Sequence, residues 1–438
     1  MKHWPKSVPD YQWPAHYFSK WMAPVRWITS AVFHACYALG SLIRQINLKW
    51  YGFEVPPTLV IRTDGIGDAL LFEPALESLA RTVSPSEVQL WAPLGVCQLF
   101  KECPSITRRL VIPRGCKPGN LRYFTSVYWH AKVGFELGRW TFQRVIYPVE
   151  SPEPLGNWLF TSARASERWV NWGDLHNQFD WQQQRTHEAA TLVIENRPGD
   201  AHESVRNEYL TDQWAEEPRL RRPRVVVGPK FVQRADAVVA EWKRAAAKLG
   251  AVEIVGVVVA GTSRVNKYPA YKWGETLKEL WEKQRAIGVL LGGPGDGTAI
   301  DEVEVFLREV PHLRLDRSVE LMVMAGIIRR LDGVLSVDTG LAHVSLALRV
   351  PTVVLVGGGH PGRFFPWPNT RDQVVLNVEM PCAGCKNKCH LADPECVTRI
   401  APSEIADAYA KLHQREESME TMKVMARRVI ALPVRVAG

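Results

Sequence analysis

The stretch that decides the fold is TLVIRTDGIGDALL, residues 58–71. Its opening run, 58–62, is rich in β-branched residues and lacks polar alternation, which is typical of a parallel strand buried on both faces. A glycine-bearing turn follows at Thr63–Asp68, and a helical pattern continues over Ala69–Arg81. Strand, glycine turn and helix in this order indicate the opening of a nucleotide-binding α/β domain.

The second half of the chain repeats this alternation. We predict strands at Ile254–Ala260, Ala286–Leu291, Gly333–Val337 and Thr352–Val356, and helices at Tyr271–Gln284, Ala299–Glu309, Glu320–Arg329 and Ala342–Leu348. Alternating strands and helices predict a second doubly wound parallel sheet. In the first half, further strands are predicted at Val88–Ala92 and Arg144–Val149, whereas the polar, tryptophan-rich stretch 151–224 gives no assignment.

Length and composition favour two globular domains with extensions. The chain has 438 residues, 46% hydrophobic and 23% charged, which excludes disordered, collagen-like and repeat proteins. The basic run RLRRPR at 219–224 precedes the predicted interdomain connection. We therefore expect four parts: a helical N-terminal extension at 1–55, Rossmann-like domains at 56–228 and 229–415, and a tail at 416–438.

The N-terminal extension combines aromatic and basic residues, a mixture that suits a membrane interface. Its apolar part, Trp27–Ile43, has 17 residues, which is marginal for a membrane span, and lacks the cleavage site of a secretory signal. We expect a helix that either lies on an anionic membrane or packs on the first domain. The net charge of +8 suits several anionic partners, but no nucleic-acid-binding motif is present, so no nucleic acid is expected.

The run Asp338-Thr339-Gly340-Leu341-Ala342-His343 carries the clearest chemistry. A buried strand ends at Asp338, Gly340 lets the backbone approach a ligand, and the following helix offers free N–H groups, which is the arrangement that binds phosphate. Thr339 and His343 add side-chain donors. The alternative is a capped helix with a buried histidine in the core.

Asp68 is the candidate general base. It lies where the first strand–helix turn enters its helix, at the edge of the sheet where a sugar transferase needs a carboxylate to remove the acceptor proton. Asp64 in the same turn competes for the role, and a helix cap is the alternative for either residue. We favour Asp68 because Gly67 precedes it and the apolar run Ala69–Leu71 follows it.

The loop after the first strand of the second domain contains Arg264, Asn266 and Lys267. Lys267 is placed to neutralise a departing diphosphate, although most lysines are simply solvated. No Asp-x-Asp motif occurs in a matching context, so no catalytic metal is expected. The turn Gly292–Asp296 follows another strand and is a weaker candidate for a nucleotide pocket, with Asp296 accepting from ribose hydroxyls.

Four of the eight cysteines, Cys382, Cys385, Cys389 and Cys396, lie within fifteen residues of each other. Four thiolates suit a structural zinc or iron ion, and free or disulfide-bonded thiols are the alternative. We predict a compact cysteine-rich knuckle at 381–397. The other cysteines have no motif spacing, as expected of reduced thiols in a cytoplasmic protein.

Together, four segments resemble glycosyltransferase family 9, the heptosyltransferases that use ADP-heptose in lipopolysaccharide core assembly. The segments, in matching order and spacing, are TLVIRTDGIGDALLFEPALESLAR, GTSRVNKYP, LLGGPGD and VDTGLAHVSLALRVPTVVLVG. The resemblance covers roughly residues 57–415. It implies a GT-B fold, with two Rossmann-like domains facing a central cleft, the acceptor on the first domain and the donor on the second.

The resemblance also implies roles for individual residues. Asp68 would be the general base of an inverting transfer, Thr262 and Lys267 would contact the donor phosphates, and the diphosphate would lie at Asp338, Thr339, Gly340 and His343. Asp296 corresponds to an acidic ribose contact. A cysteine-rich segment occurs in many members, and it holds iron in a group that heptosylates autotransporter adhesins, so iron and zinc both remain open here.

The sequence departs from the family pattern in its long N-terminal extension and in Gly357–Pro361, which replaces a shorter loop. The resulting hypothesis is an inverting transfer of heptose, or a related sugar, from ADP-heptose to a lipopolysaccharide-type acceptor. The enzyme is expected in the cytoplasm, peripherally at the inner face of the inner membrane. Three alternatives remain: a sugar-nucleotide epimerase or hydrolase, an autotransporter-type protein heptosyltransferase, and a non-enzymatic scaffold built on a metal knuckle.

Overall fold

The computed structural model describes residues 23–51, 56–83, 87–113, 127–195, 202–214, 221–261, 263–315 and 319–412. The chain divides into two compact units. The first unit contains Met1–Gly199 and Ser204–Arg221, and the second contains Asp200–Glu203 and Arg222–Gly438. The predicted tail at 416–438 and the first 22 residues of the extension lie outside the described residues.

The first unit is built on a sheet of six parallel strands. They are β1 (Thr58–Ile61), β2 (Val88–Ala92), β3 (Arg108–Val111), β4 (Phe142–Tyr147), β5 (Ala165–Asn171) and β6 (Leu192–Ile194). The helices of this half of the chain are α1 (Ala23–Tyr51), α2 (Ile66–Leu71), α3 (Glu73–Thr82), α4 (Leu94–Leu99), α5 (Val127–Arg139), α6 (Pro154–Ser162), α7 (Asp180–Ala189) and α8 (Glu203–Thr211).

The second unit is built on a parallel sheet of the same size. Its strands are β7 (Glu253–Val258), β8 (Ala286–Leu291), β9 (His312–Arg314), β10 (Gly333–Val337), β11 (Thr352–Leu355) and β12 (Gln373–Leu376). The helices are α9 (Pro229–Lys248), α10 (Ala270–Gln284), α11 (Gly297–Glu304), α12 (Leu321–Ile328), α13 (Gly340–Ala347), α14 (Glu395–Thr398) and α15 (402–412).

Both sheets are wound in the same way. The strand orders are β3-β2-β1-β4-β5-β6 and β12-β11-β10-β7-β8-β9, so β1 and β4 in one sheet correspond to β7 and β10 in the other. At each of these central pairs the winding reverses direction. Ligands of open parallel sheets bind outside the carboxyl ends of the strands at such a reversal, so the loops after β1, β4, β7 and β10 are the places to look for a site.

The predicted α/β class with two doubly wound sheets is confirmed. The single helix predicted over Ala69–Arg81 is wrong, because the structure has α2 and α3 separated at Phe72. Pro74 causes the restart: it cannot donate a backbone hydrogen bond and therefore belongs in a first helical turn. The unassigned stretch 151–224 contains two short strands and three helices, and α9 was not predicted either.

Helix α1 belongs to the first unit and packs directly on α5. A Cβ atom on Gly138 would lie 2.1 Å from the carbonyl oxygen of Tyr37, and one on Gly134 would lie 2.5 Å from that of Phe33. Only glycine permits this backbone contact. Among the described helices, none is long and apolar enough to cross a membrane.

Candidate active site

Asp68 lies in the first turn of α2, directly after the carboxyl end of β1. The cap position of this helix is Gly65, whose backbone is extended, and no side chain caps the helix. A capping role for Asp68 is therefore not observed. The residue is partly exposed at the edge of the sheet where the winding reverses.

Asp64, the competing aspartate, has a fixed structural partner. Its carboxylate accepts from Nε of Arg62 at 3.0 Å and forms a second, short contact with Nη2 of the same guanidinium. Arg62 is buried, with its side chain 1% exposed, and its Nη1 donates to the carbonyl oxygen of Pro148 at 2.9 Å. Asp64 thus neutralises a buried cation that joins the end of β1 to the end of β4, which supports Asp68 as the base.

Tyr147 fixes the same edge of the first sheet. Its hydroxyl lies 3.0 Å from Oγ1 of Thr63 and accepts from the backbone N–H of Glu153 at 2.9 Å. Complete burial raises the pKa of Tyr147, so the phenol stays protonated. This contact could not be predicted from the sequence, because Tyr147 and Thr63 are 84 residues apart along the chain.

In the second unit, the run that starts at Asp338 lies where β10 passes into α13. Thr339 occupies the cap position of α13, yet its hydroxyl makes no capping hydrogen bond. The N–H groups of the first turn begin at Gly340, at the carboxyl edge of the sheet. This is the arrangement of a helix N-terminus that binds an anion. Of the alternative, the cap hydrogen bond is not observed at Thr339, whereas the buried histidine is present.

The loop after β7 lies beside this helix N-terminus. Nδ2 of Asn266 donates to the backbone carbonyl oxygen of Asp338 at 3.0 Å, which joins the loops after β7 and β10. Lys267 is the next residue and its side chain is exposed. The structure therefore brings Lys267, Thr339 and Gly340 to one edge of the second sheet, while Thr262 lies outside the described residues.

His343 is buried in the second unit, 3% exposed, and does not carry a positive charge. Its Nδ1 accepts from Nε1 of Trp367 at 3.0 Å. Burial, together with the charge of His202, lowers the pKa of His343 to about 3. A neutral ring that accepts at Nδ1 carries its proton on Nε2.

Asp296 closes its own turn. Its Oδ2 accepts from the backbone N–H of Gly293 at 2.7 Å, at the start of α11. The turn follows β8, which pairs with β7, so it lies at the same edge of the second sheet as Lys267. The predicted ribose contact of Asp296 stays a prediction. The structure shows a second role that was not predicted, which is to close the turn.

The cysteine-rich knuckle packs against the loops of this edge. Arg264 donates to three carbonyl oxygens of the knuckle, those of Cys389, Leu391 and Ala392. The glycine run after β11 makes room for the contact: the N–H of Gly384 donates to the carbonyl oxygen of Gly358 at 2.8 Å. The unusual Gly357–Pro361 loop is explained by this close approach.

The four thiols predicted to bind a metal are not arranged as a ligand set. Cys382, Cys385 and Cys389 lie close enough to Cys396 for their charges to raise its pKa, after the larger effect of burial. Within the described parts of the chain, however, no group of three or more His, Cys, Asp or Glu side chains is placed to hold a metal ion. The zinc or iron site therefore stays a prediction, which elemental analysis of the purified protein decides.

The comparison with protein families supports the resemblance over the second half of the chain. Residues 229–394 match the model of glycosyltransferase family 9 (heptosyltransferase). We refer to residues 229–394 as the family 9 segment. The family 9 segment includes Lys267, Asp296 and the run Asp338–His343, so the recognition made from the sequence is confirmed.

A similar curated protein is lipopolysaccharide heptosyltransferase 1 of Pseudomonas aeruginosa, which is 28% identical over 166 residues. The match spans 34% of this chain and 45% of that protein, less than half of its length. This partial match supports the family assignment of the segment. It does not show the substrates of the whole chain.

Two solved structures have the same fold over most of this chain, including parts outside the family 9 segment. The family 9 glycosyltransferase of Veillonella parvula is 15% identical with a TM-score of 0.66, covering 83% of this chain and 99% of that one. The ADP-heptose lipopolysaccharide heptosyltransferase II of E. coli is 16% identical with a TM-score of 0.61, covering 82% and 99%. At these identities the likeness shows the GT-B fold alone.

Proposed function

We propose that this chain is an inverting glycosyltransferase that moves heptose, or a closely related sugar, from ADP-heptose to a hydroxyl group of a lipopolysaccharide-type acceptor. The family assignment of residues 229–394 supports the class of enzyme. The donor and the acceptor come from the printed names of similar proteins and are part of the proposal. The activity belongs in the cytoplasm, at the inner face of the inner membrane.

One observation carries the proposal: an exposed lysine and an uncapped helix N-terminus share one edge of the second sheet. Lys267 supplies a full positive charge, and the first N–H groups of α13 supply partial positive charge and hydrogen-bond donors. A positive charge and hydrogen-bond donors both stabilise a bound diphosphate. Their effect is largest when the diphosphate departs, because its negative charge then increases. The hydroxyl of Thr339 is a further donor.

In the proposed reaction, Asp68 takes the proton from the acceptor hydroxyl group. The acceptor oxygen then forms a bond to the anomeric carbon as the bond from that carbon to the diphosphate oxygen breaks, and the electron pair leaves with the diphosphate. Lys267 and the α13 N-terminus stabilise the leaving group, in place of a catalytic metal. His343 contributes as a neutral donor through Nε2 and adds no charge.

A thermal-shift screen across sugar nucleotides tests the donor. A ligand present at about 100 times its Kd stabilises the folded protein by about 2.7 kcal/mol. We expect ADP-heptose to raise the melting temperature more than the UDP and GDP sugars do. Equal shifts by all nucleotides, or none, would contradict the proposed donor, and release of free heptose without an acceptor would favour a hydrolase.

A further inference from the structure

Helix α1 exposes a continuous apolar stripe on the surface of the first unit. The stripe contains Ile28, Leu39, Leu42 and Ile46, each at least 45% exposed, with small alanines between them. The spacing of these residues places them along one side of a helix. Contiguous apolar patches on a protein surface mark sites of contact with other proteins or with membranes.

The stripe is not part of the protein core. The opposite side of α1 is buried, through Thr29 and Phe33, and is held on α5 by the glycine contacts at Gly134 and Gly138. Because one side is packed against protein, lipid cannot surround α1. The helix is able only to lie on a surface.

The ends of α1 and α5 add interfacial aromatic side chains. Phe33 lies beside Gly134 and Tyr37 beside Gly138, so the two helices run parallel and begin at the same end. Trp27 is 74% exposed in α1, and Tyr128 is 71% exposed in the first turn of α5. Tryptophan and tyrosine favour the boundary between water and acyl chains, where the ring is buried and its polar atom is hydrated.

The positive charge of α1 favours an anionic partner. Residues 23–51 contain Arg26, Arg44 and Lys49 and no aspartate or glutamate. Nε of Arg44 and Nη1 of Arg164 have no hydrogen-bond partner among the described residues, and burial together with the charge of Arg164 lowers the pKa of Arg44. Within α1, no acidic side chain offsets the positive charges.

We propose that α1 and the start of α5 form a docking surface for an anionic phospholipid bilayer, with the apolar stripe turned towards the acyl chains. A second copy of the chain is the other possible occupant. It is disfavoured because two α1 helices would bring arginine and lysine together without any acidic residue in either helix. This surface deepens the proposed function and rests on it for the acceptor, since docking would keep the enzyme beside a lipid-anchored acceptor. Binding to vesicles is measured without donor or acceptor, so its failure is distinct from failure of the proposed transfer.

Vesicle flotation with the full chain tests the docking surface. The probe is vesicles of equal parts phosphatidylglycerol and phosphatidylcholine, compared with phosphatidylcholine alone. We expect the wild type to float with the anionic vesicles, less so at high salt. The double variant L42E/I46E should lower the partition by roughly tenfold or more, since it removes apolar area and adds repulsion.

The matched control is L249E/V252E, which makes the same change at exposed apolar positions of the second unit. It should bind vesicles like the wild type. Circular dichroism confirms that both variants fold. Failure of the wild type to float, or equal flotation by wild type and L42E/I46E, would overturn the proposal. A dimer in sedimentation velocity that L42E/I46E dissociates, without flotation of the wild type, would assign the stripe to a second copy.

Discussion

Two aspartates of one turn have different surroundings, and substitution should separate their roles. Asp64 balances the buried guanidinium of Arg62, and their side chains are 15% and 1% exposed. Removing one member of a buried ion pair leaves the other charge uncompensated, which costs about 3 kcal/mol. We expect D64N to lower the free energy of unfolding by about that amount in urea denaturation. An unchanged free energy of unfolding in D64N would contradict the assignment of Asp64 as the structural residue.

His343 makes the stability of the second unit depend on pH. Its pKa is lowered to about 3 in the folded protein, below its value in the unfolded chain, so the unfolded chain binds the proton first as pH falls. The stabilisation is complete above about pH 6.5 and is lost progressively below it. Between pH 7 and pH 5, we expect a loss of about 2 kcal/mol from this group in chemical denaturation.

The variant H343Q should reduce this pH dependence, because glutamine does not titrate and still offers an acceptor to Trp367. The matched control is H176Q, which replaces an exposed histidine of the first unit. It should leave the slope unchanged. A wild-type protein whose stability is the same at pH 5 and pH 7 would show that His343 is not held neutral by burial.

In the proposed reaction, the positive charge of Lys267 stabilises the donor diphosphate. Loss of a hydrogen bond from a charged donor to phosphate removes about 1.5 kcal/mol or more, so K267A should raise the Kd of ADP by about tenfold or more in calorimetric titration. The matched control is K243A, an exposed lysine on α9. Unchanged ADP affinity in K267A would mean that Lys267 is only a solvated surface residue.

At the scale of elements, the α1–α5 contact makes a further prediction. A methyl group on Gly138 would overlap the carbonyl oxygen of Tyr37, and neither backbone has room to move without unpacking the helices. We expect G138A to destabilise the first unit by about 1–3 kcal/mol. G295A is the matched control, since nothing lies within 4 Å of its added Cβ. Equal stability of the two variants in urea would contradict the close packing of α1 on α5.

The sequence predicted the elements that are buried on both faces. The strands at Ala286–Leu291 and Gly333–Val337 were predicted with the observed bounds, because each is a short apolar run bounded by polar or turn residues. Three-residue and partly exposed strands such as β6 and β9 carry too little periodicity to be predicted. Elements with a strong local pattern were thus visible, and those stabilised mainly by their neighbours were not.

Site residues followed the same division. The positions of Asp68 and the Asp338–Gly340 run at a sheet edge could be predicted because parallel topology places strand ends at one edge of a sheet. The pairing of Arg62 with Asp64 was not foreseen, and the burial of His343 was named only as an alternative, without its partner Trp367. Both depend on packing, and Trp367 follows His343 by 24 residues.

At the scale of the whole molecule, two similarly wound units carry different chemistry at corresponding strand ends. The first turn of α2, after β1 in the first unit, holds the carboxylate Asp68. In the second unit, the loop after β7 holds the cationic Lys267, and the first turn of α13, after β10, holds the N–H donors. A carboxylate base and an anion-binding edge are the two parts that an inverting transfer from a nucleoside diphosphate sugar requires.

One measurement tests this account most directly: mass spectrometry of a heptose-deficient lipopolysaccharide core incubated with ADP-heptose and the protein. We predict that the wild type adds a heptosyl group to the core and releases ADP. D68N should transfer at least about a hundredfold more slowly while its affinity for ADP stays unchanged. Full activity in D68N, or no transfer by a folded wild type that binds ADP-heptose, would contradict the account.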